Sequence, residues 1–202
     1  MTFGIKSIES TFFVSHRKKD ANISNQRITS FKTDGLHRTE NEISKKRNIT
    51  ENILGINLTY KRRQLQVGIT AMFYHYSDTL SPANLMYNRF RISDDNQHFN
   101  IGINYKYNRK RISLFGESAI NAYAGLATLN GLSIRPNSRL NLLVIERMYQ
   151  PHYQANYSNA FGENSRTENE QGLYIGTQLL PIKKISLSMY ADVYAFPWAK
   201  YN

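Results

Sequence analysis

The sequence predicts an all-β fold, an antiparallel up-and-down transmembrane β-barrel to which this chain contributes about nine strands. Apolar and polar residues alternate with a period of two along most of the chain, which is typical of strands with two different faces. The connections alternate between turns of about four residues and long polar segments. Membrane barrels show this asymmetry because tight turns lie at one end and long loops at the other.

The predicted elements follow in chain order. The strands are 5–16, 52–60, 65–74, 99–107, 112–117, a weakly patterned Gly- and Ala-rich stretch at 121–134, 140–147, an arm ending at 180, and 185–193. The short turns are 61–64, 108–111, 135–138 and 181–184, and the long loops are 17–51, 77–97 and 150–171. No segment predicts a helix.

Composition limits the classes of protein that remain. The 202 residues include no Cys, which excludes disulfides and thiolate metal sites. The net charge of +11 indicates nucleic acid or an anionic lipid or glycan surface, but the clusters 61–63, 109–111 and 183–184 fall at predicted turns, where solvated tips are the simpler interpretation. The start shows no secretion signal, and nine is an odd strand number, so we expect residues 1–202 to be a single β-barrel region and a fragment of a larger barrel.

The two faces of the predicted strands differ in chemistry. Charged residues fall on the side opposite the apolar stripe, where they would line a polar lumen: Lys106, Arg111, Glu117, Arg147 and Asp192. Tyr60, Tyr105 and Tyr107 lie near strand ends on the apolar side, as a girdle at the level of lipid headgroups requires. A soluble sandwich would also alternate, but its two ends seldom differ so consistently in loop length.

Five stretches carry a resemblance to a known family. They are LHRTENEI at 36–43, LMYNRFRIS at 85–93, LATLNGLS at 126–133, YQANYSNAFGENSRTENEQGLYIG at 153–176 and YADVYAFPWAKY at 190–201. Together the sequence resembles the C-terminal β-barrel region of Bacteroidota-type outer-membrane helix-hairpin-helix domain-containing (competence ComEA-related) proteins. In that family a secretion signal and DNA-binding helix-hairpin-helix motifs precede the barrel and more strands follow it, so this chain looks like a partial member.

The loop 161–170 is the candidate functional segment. It groups Glu163, Asn164, Arg166, Glu168 and Glu170, and the resemblance is strongest here. Such oxygen-rich loops can bind Ca²⁺, but the spacing misses the EF-hand pattern, so a solvated loop with internal ion pairs is the favoured interpretation. We expect the loop to fold over the barrel mouth or to contact a partner.

Catalytic patterns are weak in this sequence. The five histidines show no zinc-binding spacing, and Ser77 and Asp78 near His75 lack a G-x-S-x-G context, which predicts neither an enzyme nor a cofactor. The sequence therefore predicts a non-enzymatic component of the bacterial outer membrane with a structural, passage or surface-binding role. Its expected partners are outer-membrane lipid, the remainder of the barrel or other envelope proteins. The alternative is a membrane component of a DNA-binding or DNA-uptake system, in which clusters such as 17–19 and 45–47 would contact phosphates.

Overall fold

The computed structural model describes residues 1–82, 85–91, 94–182 and 185–200. These residues form one sheet of twelve strands. The strands are β1 (Thr2–Ile5), β2 (Ile8–Lys19), β3 (Ala21–Ser24), β4 (Arg27–Phe31), β5 (Ile49–Arg62), β6 (Leu65–Leu80), β7 (Asp95–Arg109), β8 (Ile112–Asn121), β9 (Leu126–Asn137), β10 (Leu140–Tyr149), β11 (Glu170–Ile182) and β12 (Ile185–Ala195).

The strands follow one another as an antiparallel meander. The order in the sheet is β1-β2-β5-β6-β7-β8-β9-β10-β11-β12, and each neighbouring pair is antiparallel. The prediction of an all-β, antiparallel up-and-down fold is confirmed. Hydrogen bonds between the described residues do not close the sheet, so β1 and β12 are its two edges.

The predicted count of nine strands is wrong, because the meander has ten and a hairpin lies beside it. The single strand expected at 5–16 is two strands, which turn at Lys6-Ser7 without a Gly, Pro or Asn to mark the bend. The loop predicted at 17–51 holds the hairpin β3–β4, whose second strand pairs in parallel with the end of β6. It also holds a short helix, α1 (Glu40–Ser44), which begins with a capping box between Thr39 and Glu42.

The predicted turn at 135–138 lies two residues too early. The chain instead turns at Ser138-Arg139, and Arg135, Pro136 and Asn137 belong to β9. Proline is tolerated there because the register between β9 and β10 shifts at this point, which leaves a site without a regular ladder hydrogen bond. The predicted turn at 181–184 includes Lys183 and Lys184, which lie outside the described residues.

The two faces of the meander separate polar from apolar residues as the alternation predicts. Outward side chains such as Leu54, Ile69, Ile103 and Leu187 are large, apolar and exposed, with Ile103 51% accessible. The opposite face, called the inner face below, carries the glycines, amides and charged residues of the same strands. In a water-soluble domain a stripe of this kind is normally covered by another layer, and no described residue covers it.

A row of hydrogen-bonded polar side chains interrupts the outward face on β7, β9 and β10. The hydroxyl of Tyr105 lies 3.0 Å from Asn130 Oδ1, and Asn130 Nδ2 donates to Glu146 Oε2 at 3.0 Å. Between them Gly116 leaves room for the tyrosine ring, whose Cε1 is 2.8 Å from the position of an added Cβ. The amide thus gives Glu146 a donor on an otherwise apolar surface.

The buried apolar residues gather at the long-loop end of the sheet, called the mouth below. One cluster joins the hairpin β3–β4 to the strands β5 and β6, and comprises Ala21, Ile28, Ile49, Ile53, Tyr74 and Tyr76. A second cluster, at the ends of β8 to β10, comprises Ala119, Ala127, Tyr149 and Tyr153. No helix among the described residues is long and apolar enough to cross a membrane.

Candidate functional site at the mouth of the sheet

The segment 150–157, called the crossing segment below, runs over the inner face from β10 towards β2. It forms hydrogen bonds with one strand after another. Asn121 of β8 donates to the carbonyl of His152, and Asn100 of β7 donates to the carbonyl of Gln154, each at 2.8 Å. Asn156 then donates to the hydroxyl of Tyr76 on β6. The crossing segment therefore ties strands that are distant in the sheet to one another.

The crossing segment ends at a network of charges on β2 and β5. The hydroxyl of Tyr157 donates to the fully buried carboxylate of Glu51 at 2.6 Å. Arg17 Nε donates to the same carboxylate at 2.7 Å, and Lys19 Nζ lies 3.3 Å from it. Burial, followed by the hydrogen bond to Glu51, raises the pKa of the Tyr157 hydroxyl, so the tyrosine stays a donor at neutral pH.

Tyr153 fixes the crossing segment at its first turn. Its ring is 4% exposed, and burial raises its pKa to about 12. The backbone passes so close to Gly125 that an added Cβ would lie 2.6 Å from the carbonyl oxygen of His152. Glycine at this position is required because any other side chain would separate the two backbones.

A second charge network lies under the candidate loop. It brings together residues of the predicted lumen set and residues of the predicted functional loop. Arg147 is fully buried and donates to Glu170 at 2.6 Å and to both oxygens of Asp192 at 2.9 and 3.1 Å. The guanidinium lies over Gly172, where an added Cβ would be 2.6 Å from its central carbon. Glu170 also accepts the backbone N–H groups of Glu163 and Asn164 at 2.6 to 3.0 Å, so it holds the loop as well as the arginine.

The prediction that 161–170 is a solvated loop is wrong for its second half. Thr167, Glu168, Asn169 and Glu170 are all buried. The two glutamates point at cations, since Glu168 accepts from Arg91 at 2.6 Å and Glu170 from Arg147. Sequence spacing could not show this, because Arg91 comes from a different loop.

Arg166 lines a cavity of about 680 Å³ at the mouth, together with Arg91, Glu168 and Trp198. It forms no salt bridge with any residue that the structure describes. Trp198 closes the cavity through reciprocal hydrogen bonds with Asn169 at 2.8 and 2.9 Å and an edge-on contact with Phe90.

The other predicted lumen residues lie apart from the Arg147 network. Glu117 is on the inner face and lines a cavity of about 370 Å³ beneath the crossing segment. Lys106 and Arg111 lie near the short turns, where Arg111 donates to the carbonyl of Pro136. The five predicted residues therefore occupy three regions rather than one lumen site.

The serine, aspartate and histidine side chains that were considered for catalysis form ordinary hydrogen bonds. Ser77 donates to Asp78 at 2.7 Å and accepts from the backbone N–H of Thr50 at 3.0 Å. Asp20, in the loop after β2, accepts from the backbone N–H of Arg47 and from His37, and these bonds lower its pKa. The described residues contain no group of three His, Asp or Glu arranged to hold a metal ion.

Sequence reasoning missed Glu51, Tyr157, Arg91 and Trp198. Glu51 directly precedes the predicted strand 52–60, and alternation places it on the inner face. The sequence could therefore have predicted it as a further charged residue of that face. Tyr157 and Trp198 lie in non-repetitive segments, and only the fold brings them to their partners.

We expect Tyr157→Phe to loosen the crossing segment and to reduce the free energy of unfolding by about 1–3 kcal/mol, because the buried carboxylate of Glu51 loses a donor. Trypsin cleavage after Arg166 should accelerate. Tyr123→Phe is the matched control, since Tyr123 donates to Asp95 at 2.6 Å and is exposed to a similar extent, but that carboxylate is accessible to water. Equal cleavage rates in the two variants would contradict a bracing role for Tyr157.

Comparison with protein-family models gave no match to this chain, and comparison with curated proteins gave none either.

Proposed function

We propose that this chain is part of an outer-membrane β-barrel, with a structural, passage or surface-binding role and no catalytic one. The observation that carries the proposal is the broad apolar outward face of the meander, whose large side chains are exposed from β2 to β12, while the inner face of the same strands carries the glycines, amides and most of the charged residues. Hydrocarbon is the medium that such a face fits, because lipid accepts apolar side chains and a meander satisfies the backbone within the sheet.

The two edge strands of the sheet add further strands to the proposal. Among the described residues β1 and β12 have no strand on their outer sides, and the exposed residues on both faces of β12 include Tyr190 and Val193 at 74% and 73%. In lipid each unpaired N–H or C=O group costs several kcal/mol. Further strands between these edges, which complete the barrel, are therefore part of the proposal.

One structural observation supports including the family resemblance in this proposal. Its two most distinctive stretches are 153–176 and 190–201. Described residues of both meet at the mouth, where Asn169 and Trp198 exchange hydrogen bonds and Arg147 holds Asp192 beside Glu170. In this proposal the chain belongs to the helix-hairpin-helix domain-containing barrel group, and the two stretches together form the mouth of its barrel. The binding or passage role is assigned to that mouth, because the crossing segment lies over the inner face there.

The decisive test is the medium in which the chain folds. We expect the polypeptide, diluted from urea, to become monodisperse and strand-rich in detergent micelles or lipid vesicles and to aggregate in plain buffer, because the outward face has no cover in water. Size-exclusion chromatography with light scattering and circular dichroism measure both outcomes. A compact monomer in buffer without detergent would refute the proposal.

A further inference from the structure

Four described short turns of the meander, those of β1–β2, β5–β6, β7–β8 and β9–β10, carry a cation and lie at one end of the sheet, opposite the mouth. The described Lys and Arg residues within four positions of these turns are called the basic collar: Lys6, Lys61, Arg62, Arg63, Lys106, Arg109, Lys110, Arg111, Arg135 and Arg139. Over the same stretches Glu9 is the one described carboxylate, and Lys61 pairs with it at 2.8 Å. Much of the net charge of +11 is therefore concentrated at this end.

Part of the collar lines a cavity on the inner face of β7, β8 and β9. A space of about 670 Å³ is lined by Lys106, Arg109, Lys110, Arg111 and Arg135, together with hydroxyl and amide side chains, and no carboxylate lines it. None of these five cations forms a salt bridge with a described residue. Their charge is therefore not neutralised by a carboxylate in the described part of the protein.

Backbone conformation supports a role for the charge itself. Lys6, Arg63 and Lys110, at three of these turns, have φ of 53°, 51° and 51°. This left-handed region favours Gly or Asn, which are the usual residues of tight hairpin turns. Turn stability alone therefore does not explain a lysine or arginine at these positions.

The collar lies next to the apolar outward face. Tyr60, Tyr105 and Tyr107 point outward within a few residues of it, and Leu65 and Ile112 begin the apolar stripe directly beside the turns. In a bilayer this is the level of the lipid headgroups, where tyrosines are enriched. Phosphate groups of lipid are the anions present at that level.

We propose that the basic collar binds the headgroups of anionic phospholipids in the leaflet at the short-turn end. The proposal rests on the membrane-barrel function above. Lipid is favoured over nucleic acid because the collar is continuous with the apolar stripe and its girdle. Each Lys or Arg close to an anionic surface adds about fivefold to the partition constant.

The experiment measures lipid selectivity at the protein surface. The protein is inserted into phosphatidylcholine bilayers that carry trace spin-labelled phosphatidylglycerol or spin-labelled phosphatidylcholine, and electron spin resonance gives the ratio of their association constants. We expect a ratio of about five or more at low salt for the wild type, falling towards one as salt rises. The variant Arg109→Gln/Lys110→Gln/Arg111→Gln, which clears the turn between β7 and β8, should lower this ratio at least twofold at low salt.

The matched control removes three charges at the mouth end, in Arg38→Gln/Lys45→Gln/Lys46→Gln, and should keep the wild-type ratio. A wild-type ratio of one, or a loss of selectivity in the mouth variant and not in the collar variant, overturns the inference while leaving the barrel proposal intact. Failure to insert even into neutral phosphatidylcholine overturns both. Duplex DNA that displaces labelled phosphatidylglycerol from the wild type but not from the collar variant would assign the collar to nucleic acid instead.

Discussion

Replacing Arg147 with Met is expected to lower the free energy of unfolding by about 3–5 kcal/mol, because it leaves two carboxylates without their cation. Glu170 is fully buried and Asp192 is largely shielded, with a side-chain exposure of 13%. Methionine fills a similar volume, so the loss comes mainly from the uncompensated charge rather than from a cavity. Urea unfolding in detergent micelles, followed by circular dichroism, measures the change.

Two controls separate charge from packing in this experiment. The triple variant Arg147→Met/Glu170→Gln/Asp192→Asn carries no buried charge and should recover most of the lost stability, as neutral replacements of buried ion clusters often do. Arg135→Met removes an exposed arginine and should change stability by no more than about 0.5 kcal/mol. If the triple variant is as unstable as Arg147→Met, the arginine acts through its packing over Gly172, and the charge argument is wrong.

The loop should respond in the same variants. Glu170 accepts two backbone N–H groups from the candidate loop while it binds Arg147, so the arginine holds the carboxylate in the position that the loop requires. We therefore expect faster trypsin cleavage after Arg166 in Arg147→Met at urea concentrations below the unfolding transition. Faster cleavage would mean that the buried charge network also holds the loop closed over the mouth.

The meander was predictable because period two is a local property. Residues 65–71 and 185–193 alternate without interruption, and each pattern fixes a strand and the face of every residue in it. Where the pattern weakens, the prediction fails. No Pro, Asn or Asp marks the turn at Lys6-Ser7, and Pro136 suggests a turn although it lies in an irregular stretch of β9.

The contacts at the mouth were not predictable in the same way. Arg147 and Asp192 are assigned to the inner face by alternation alone, but their pairing depends on the register of β10, β11 and β12, which no single strand encodes. Tyr157 reaches Glu51 across more than a hundred residues of chain, through a segment with no regular pattern. Long-range pairs of this kind follow from the completed fold.

Ile175→Arg is expected to reduce the stability of the protein in a lipid bilayer by about 2–4 kcal/mol, because the arginine would meet hydrocarbon near the middle of an outward-facing strand. Ile175 lies midway along β11, between Val144 and Ala191, and is 51% exposed. Urea titration of protein folded in phosphatidylcholine vesicles measures the loss. The folded fraction after dilution into vesicles should fall in parallel.

Gln178→Arg is the matched control, because it places the same side chain on the same strand but on the inner face. Gln178 is exposed there and forms one weak hydrogen bond, to Ser186 at 3.3 Å, so the change should stay within about 0.5 kcal/mol. The two variants share the introduced side chain, the net charge and the strand, and differ in the medium that the arginine meets. A similar loss in both variants, or none in either, would mean that the outward face of β11 does not contact lipid.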